Sequence, residues 1–525
     1  EITYPQDLRN CVKCHTNAST KVTKAANWKD LPSRRACGAC HDNISFAAGT
    51  APNGRIKHAG GTQTNDATCS NSGNCHGPGA DNEVAARHVA IAPPASDNTF
   101  NGGTNANTNA ACVAAAGAVP TGAAKITYLV SSVALDASRH PQIVFKLQKD
   151  GADVTFSTAA GSELMTGFVG SPSAYFAWAV PQDGIVSPAD FNASASAYIR
   201  SVANGTTPSS TATLTGPSTT GYYTLTIANV IISTSAKMLT GGIGYTYALN
   251  GTQPLTQIDL TGLSDSIKTT CAYSSTPNLN GQGGLIVPAT DVWKVATNFS
   301  ARRVTVDNAK CNACHDGLGV SPTFHAGQRN DGPTCSFCHT PNRTSSGWAA
   351  ASDYFVHAIH GAAKRTEKFN WHSSTSTSGF YNVTYPGVLN RCETCHVTGG
   401  YDFSRLGSTV DALSSTILTT VAATTTAASI SLSPYVTAGA NYGVGFSYTA
   451  TTQATVEAAT STLVISKFAT ACVSCHDSVT ARAHMTANGG SFYEAREVAK
   501  GRVEQCTLCH AQGKVAGVAE VHSKK

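Results

Sequence analysis

The chain is poor in charge, in methionine and in long apolar runs. Charged residues make up 13% of its 525 residues, about half the roughly 25% of an average protein, which excludes a disordered polyelectrolyte. Lys and Arg number 36 against 31 Asp and Glu, a formal net charge of +5. That small excess, without a basic stripe, argues against nucleic acid as a partner. No apolar run reaches the ~18 residues of a membrane helix, so no transmembrane segment is expected. Met occurs three times and aromatics make up 7%. The excess lies in 18 Cys beside 17 His, in a chain too large to depend on disulfide staples.

The cysteines are ordered. Cys-x-x-Cys-His occurs at Cys11, Cys14 and His15; Cys37, Cys40 and His41; Cys311, Cys314 and His315; Cys335, Cys338 and His339; Cys392, Cys395 and His396; Cys472, Cys475 and His476; and Cys506, Cys509 and His510. This is the attachment motif of c-type haem: two thiols bond the two vinyl groups and the following imidazole meets the iron. Zinc also binds Cys-x-x-Cys pairs, but it has no need of a His directly after the second Cys in all seven copies. A looser eighth copy runs from Cys69 to Cys75 and His76, with a loop three residues longer. It reads as haem attachment, with a local disulfide beside a free His as the bland alternative. Eight sites use sixteen Cys. The remaining pair, Cys112 and Cys271, brackets a long motif-free stretch and is expected to form one disulfide.

Eight haem irons need eight second ligands. With Met scarce, the supply is His58, His88, His140, His325, His357, His360, His372, His484 and His522. Bis-histidine ligation is the expectation, and an iron with two protein ligands moves electrons and binds no substrate. The C-terminal group has local candidates in His325, His357, His360, His484 and His522. His357 and His360, spaced i and i+3, share one helical turn. The N-terminal group has only His58 and His88 for three haems, so the haem of His15 lacks a local partner. His140, ahead of Pro141, reads first as a turn residue, and His372 has no duty within its own group.

The length suggests three or four domains. Residues 1–100 are expected to form a trihaem domain rich in loops. Residues 101–300 are expected to form a β domain without haem, sandwich or barrel, from runs such as Lys125-Ile-Thr-Tyr-Leu-Val, Gln142-Ile-Val-Phe-Lys-Leu, Tyr222-Tyr-Thr-Leu-Thr-Ile and Gly244-Tyr-Thr-Tyr-Ala-Leu. Residues 301–525 are expected to form a pentahaem domain with a Ser/Thr-rich insertion at about 405–470. The haem domains read as mostly irregular and low in helix, packed more on cofactor than on a polypeptide core.

The segments Cys311-Asn-Ala-Cys-His, Phe324-His-Ala-Gly-Gln-Arg-Asn-Asp, Cys335-Ser-Phe-Cys-His-Thr-Pro-Asn and Val356-His-Ala-Ile-His-Gly resemble the outer-membrane decahaem c-type cytochromes of metal-reducing bacteria. So do Tyr385-Pro-Gly-Val-Leu-Asn-Arg-Cys-Glu-Thr-Cys-His, Ala483-His-Met and Val521-His. Residues 301–525 look like one pentahaem domain of that family. Residues 1–92, with Trp28, Cys37-Gly-Ala-Cys-His and His58-Ala-Gly-Gly, look like the latter three-fifths of the other. The resemblance implies proximal and distal His on these motifs, supporting His325, His357, His360, His484 and His522. The family's first two haem motifs and first β domain have no counterpart here, nor does the paired-His helix that would serve the haem of His15. No signal peptide or acylated Cys stands at Glu1, which reads as a processed chain.

The resulting expectation is an extracellular or cell-surface octahaem electron carrier, secreted through the periplasm. It would take electrons from periplasmic or outer-membrane cytochromes and deliver them to metal oxides or electrodes. A histidine from a second copy, His372 by preference, would ligate the haem of His15, and such a head-to-tail contact propagates as a filament. The alternatives are a monomeric surface reductase of metal oxides, flavins or humic compounds, and a multihaem enzyme with an open haem site. No Cys-x-x-Cys-Lys is present to favour the last. Two propionates per haem would also turn the formal +5 clearly negative.

Overall fold

A computed structural model describes residues 11–15, 23–47, 55–71, 75–80, 82–88, 126–149, 151–165, 171–205, 212–245, 290–315, 318, 325, 329–376, 379–403 and 416–523. Cys112 and Cys271, with the disulfide expected between them, lie outside these residues.

The motif-free stretch is a β sandwich. Its strands are β1 (Ile126–Leu135), β2 (Pro141–Lys149), β3 (Pro172–Trp178), β4 (Ala193–Tyr198), β5 (Ala212–Thr215), β6 (Tyr223–Ile227), β7 (Leu239–Tyr245) and β8 (Val292–Val295). One antiparallel sheet runs β1-β2-β6-β5, and the other runs β8-β7-β3-β4. Strand alternation accounts for the first sheet: β2 turns Ile143, Phe145 and Leu147 into the core and leaves Gln142, Val144 and Lys146 half-buried. Of the run starting at Gly244, only Gly244 and Tyr245 are described, at the end of β7. Glycine in β7 has a packing reason, since a Cβ on Gly241 would lie 2.9 Å from Val133 Cγ1 of β1.

The central strand β3 is buried on both faces. Ala174, Phe176 and Trp178 face the sandwich core. Ala177 faces outward, in a cluster with Ala179, Phe191, Met238 and Phe337. Phe337 stands between Cys335 and Cys338, so the sandwich is capped by one of the motifs. Three polar links fasten the same contact. Gln182 and Asn342 exchange amide hydrogen bonds of 2.8 Å each way. Asp190 pairs with Arg302 at 3.1 Å and Arg303 at 2.7 Å. Buried Arg496 pairs with Asp183 and donates to Thr420 Oγ1 at 2.8 Å. Burial pushes the Asp190 carboxyl up, but Arg303 and Arg302 together hold it below its ordinary value.

The C-terminal region has helices α2 (Asn308–His315), α3 (Ser352–His360), α4 (Val479–Ala487) and α5 (Val518–Ser523), following the short α1 (Val84–Arg87) of the N-terminal region. The longest described helices have nine residues. A small antiparallel sheet, β9 (Thr419–Ala422), β10 (Leu463–Ile465) and β11 (Phe492–Ala495), backs a core of Trp348, Tyr354, Phe369, Trp371, Val421, Ile465 and Val473. The Arg365 guanidinium lies over the Trp348 ring at 5.6 Å and meets Asp477, which follows His476, at 3.2 Å. This region therefore differs from the expectation of cofactor-dominated packing, because its aromatics are concentrated in one interior. The insertion has a structural task as well: Phe446, Tyr448 and Ala450 pack on the sandwich, with Tyr448 edge-on to Trp178 at 6.0 Å.

The described residues of the N-terminal region form no such interior. Among its described residues, the buried apolar side chains are Ala25, Pro32 and Ala80. Two two-residue strands, Ile44–Ser45 and Ile56–Lys57, pair in parallel. Among the described residues no helix is long and apolar enough to cross a membrane.

Candidate metal centres

The histidines meet in pairs. His41 faces His88 with ring centres 6.0 Å apart, and His76 faces His58 at 6.0 Å. His315 faces His360 at 6.1 Å, His339 faces His325 at 6.1 Å, and His396 faces His357 at 5.7 Å. His476 faces His522 and His510 faces His484, each at 6.1 Å. Each pair joins one motif histidine to one from elsewhere in the chain. A metal–imidazole bond is about 2.0 Å, so two rings on opposite sides of one ion have centres roughly 6 Å apart. The spacing fits an iron between each pair.

The second ring nitrogen is also accounted for. Nδ1 of His88, His357, His360 and His522 donates to the carbonyl four residues back, that of Val84, Asp353, Val356 and Val518, at 2.7–2.9 Å. These carbonyls belong to α1, α3 and α5, so each ring is folded back along its own helix. His58, His76, His339, His396 and His510 donate to the carbonyls of Gly61, Asn82, Ala350, Thr305 and Ala516 at 2.7–3.1 Å. A proton held on Nδ1 leaves Nε2 as the ligating atom and fixes the plane of the ring. Sequence reasoning left these acceptors unnamed, since a backbone carbonyl carries no residue signature. Burial lowers the pKa of His325, His339, His360 and His476, and that of His396 to about 4, which favours the neutral, ligating imidazole.

Burial pushes the Cys311, Cys335 and Cys472 thiols up to about 12 and Cys506 up to about 11, so these thiols are protonated at neutral pH. None of the sixteen motif cysteines is in a disulfide. In six of the regular motifs the His N–H bonds the carbonyl of the first Cys at 2.8–2.9 Å, as in His15 to Cys11 and His476 to Cys472. His76 makes the same bond to Cys69 at 3.0 Å despite the longer loop. Exposed apolar side chains flank the motifs, including Val12, Leu508 and Val521, and a flat apolar macrocycle would cover them.

Helix α3 is the hub of the C-terminal group. Its His357 reaches His396 and its His360 reaches His315. A Cβ at Gly361, just past its end, would lie 2.6 Å from Cys475 Sγ, so only glycine allows that approach. Neighbouring motifs also touch: a Cβ at Gly332, in the turn that carries Cys335, would lie 3.3 Å from Cys311 Sγ, and Lys310, beside Cys311, donates to the carbonyls of Glu393 and His396 at 2.6 and 2.7 Å.

Three histidines belong to no such pair. Among the described residues no imidazole faces exposed His15. His140 donates from Nδ1 to Asp136 Oδ2 at 2.8 Å, while Asp136 also accepts from the His140 and Ser138 backbone N–H groups, so the pair closes the turn between β1 and β2. Exposed His372 has a φ of 57° and rests on Trp371 with ring centres 4.2 Å apart.

A family described as outer membrane cytochrome MtrC/MtrF-like, domains II/IV, matches residues 1–89 and 303–523. The chain belongs to this family. It is a multihaem cytochrome with covalently bound c-type haem, and the match passes over the sandwich. Among solved structures, MtrC from Shewanella baltica OS185 is similar at 15% identity and a TM-score of 0.45, covering 96% of this chain and 64% of that one. The chain thus spans less than two-thirds of that cytochrome. No curated protein matches the sequence.

Proposed function

We propose that the chain is an extracellular or cell-surface octahaem electron carrier. The observation that carries this reading is the set of seven imidazole pairs at 5.7–6.1 Å, each combining a motif histidine with a distant one. Haem is attached through Cys11, Cys14, Cys37, Cys40, Cys69, Cys75, Cys311, Cys314, Cys335, Cys338, Cys392, Cys395, Cys472, Cys475, Cys506 and Cys509. With both axial positions filled, these irons exchange electrons without binding substrate. Its donors are periplasmic or outer-membrane cytochromes, and its acceptors are metal oxides or electrodes. Intact-mass measurement should show eight haem additions, and magnetic resonance of the oxidised protein should show low-spin iron. Fewer additions, or mainly high-spin iron, would overturn the octahaem bis-histidine reading.

We assign the second ligand of the His15 haem to His372 of another copy, giving a head-to-tail filament. The exposure of both His15 and His372 supports this assignment. His372→Ala should abolish fibres seen by negative stain while keeping the haem content. Unchanged fibres would remove His372 from the contact, and discrete particles from the wild type would favour a monomeric surface reductase instead.

A further inference from the structure

Asp331 lies where two haem-attachment segments meet the β sandwich. The next residue, Gly332, donates its N–H to Asn308 Oδ1 of α2 at 2.9 Å, and a Cβ at Gly332 would lie 3.3 Å from Cys311 Sγ. The Asp331 carbonyl accepts from Thr334 Oγ1 at 2.7 Å, starting the turn Gly332–Phe337 that carries Cys335. The carboxyl itself turns to the sandwich, where Oδ2 accepts from Trp293 Nε1 of β8 at 3.1 Å. The backbone that follows it thus abuts Cys311 and leads directly into Cys335.

The groups around this carboxyl are acidic or neutral. Asp307, in the lead into α2, pushes its pKa further up, and Asp291, just before β8, donates its backbone N–H to Oδ1 of the adjacent Asn330 at 2.9 Å. The nearby cations are engaged elsewhere. Arg329 lies over the Tyr175 ring at 4.8 Å, and Lys310 donates to the carbonyls of Glu393 and His396 at 2.6 and 2.7 Å. Burial, with Asp307 adding, raises Asp331 to about 6 against the opposing pull of Trp293 and Thr334. A carboxyl in this setting is poised to change its proton occupancy when a neighbouring charge changes.

We propose that Asp331 is a proton-accepting group coupled to reduction of the haems attached at Cys311 and Cys335. One iron(III) gains one electron from the donor and becomes iron(II), while the Asp331 carboxylate gains one proton from water, so the local charge is unchanged. This rests on the haem reading above. Trp293 is the positioning residue: its N–H stabilises the carboxylate and sets the pH at which the proton is taken up.

The test is a spectroelectrochemical titration between pH 5 and 8 of the haem-loaded wild type, Asp331→Asn and Trp293→Phe. The wild type should show at least one haem whose potential falls as pH rises around 6, by no more than about 59 mV per pH unit, the one-electron equivalent of a tenfold change. Asp331→Asn should lose that slope and keep the higher potential at every pH. Trp293→Phe should move the sloping region to higher pH, because the carboxylate loses a donor. Reduced-minus-oxidised infrared spectra should show a protonated carboxyl band gained by the wild type and absent from Asp331→Asn. A fully haem-loaded Asp331→Asn with the wild-type slope would overturn the assignment. So would an unmoved slope in Trp293→Phe, which keeps the test open if the first variant fails to fold. A chain carrying no covalent haem would overturn the haem reading itself.

Discussion

Residues 11–88 and residues 301–523 carry the same Cys-His motifs and the same imidazole pairs, but they are held together differently. The C-terminal region surrounds Trp348, Tyr354 and Phe369 with a small sheet, helices α3 and α4 and the insertion, and it is bolted to the sandwich through Asp183, Asp190 and Phe337. The N-terminal region buries no apolar side chain larger than proline among its described residues. One region can hold its shape with polypeptide contacts alone. The other has little besides its cofactors to exclude water, so each haem there doubles as core.

The sharpest way to break this contrast is to remove covalent haem. With Cys37 and Cys40 both replaced by Ala, limited proteolysis within 23–71 should accelerate by about tenfold or more, while the sandwich stays protected. Equal protection of both regions would erase the distinction. Trp348→Ala should cost about 3–5 kcal/mol in denaturant unfolding, the range for truncating a fully buried aromatic, whereas half-buried Trp28→Ala should cost well under half as much. Asp183→Asn leaves the buried Arg496 guanidinium without its ion partner, a loss of about 3 kcal/mol, and should split one thermal transition into two as the sandwich uncouples.

A smaller effect concerns acid. Asp190 has its pKa lowered in the folded protein, so between the folded and unfolded values the unfolded chain binds more protons. Its contribution is therefore complete above an ordinary aspartate pKa of about 4 and is lost as pH falls through the lower folded value. Asp190→Asn should flatten the acid limb of the melting curve below about pH 4 and lower stability at neutral pH. The smallest effect is expected at Arg34, whose pair with exposed Asp66 at 2.8 Å is open to solvent. Arg34→Ala should leave the melting temperature unchanged within error.

The legible parts of the fold were those with a local period. The runs at Ile126, Gln142 and Tyr223 alternate in burial and form strands of the sandwich. Strand β3 escaped because Pro172–Trp178 is covered on both faces, which removes the alternation that marks a strand. The insertion before Cys472 carried no motif and gave no hint that Tyr448 would reach Trp178. In the candidate sites, seven expected distal histidines each face a motif histidine, while His140 closes a turn and His372 faces none of them. His58 precedes its partner His76 and passes over the nearer His41, an arrangement that order along the chain does not reveal.

The sequence by itself determined the attachment chemistry, because two thiols and an imidazole at fixed spacing form a constraint that a single turn of backbone satisfies. It also determined the i, i+3 histidines of α3, a property of one helical turn. Only the tertiary structure decided which distant imidazole meets which motif, which carbonyl holds each ring, and where Asp331 meets Trp293. Those outcomes depend on contacts between segments dozens of residues apart, set by a shared core and a few buried ion pairs, and such contacts leave no period in the chain.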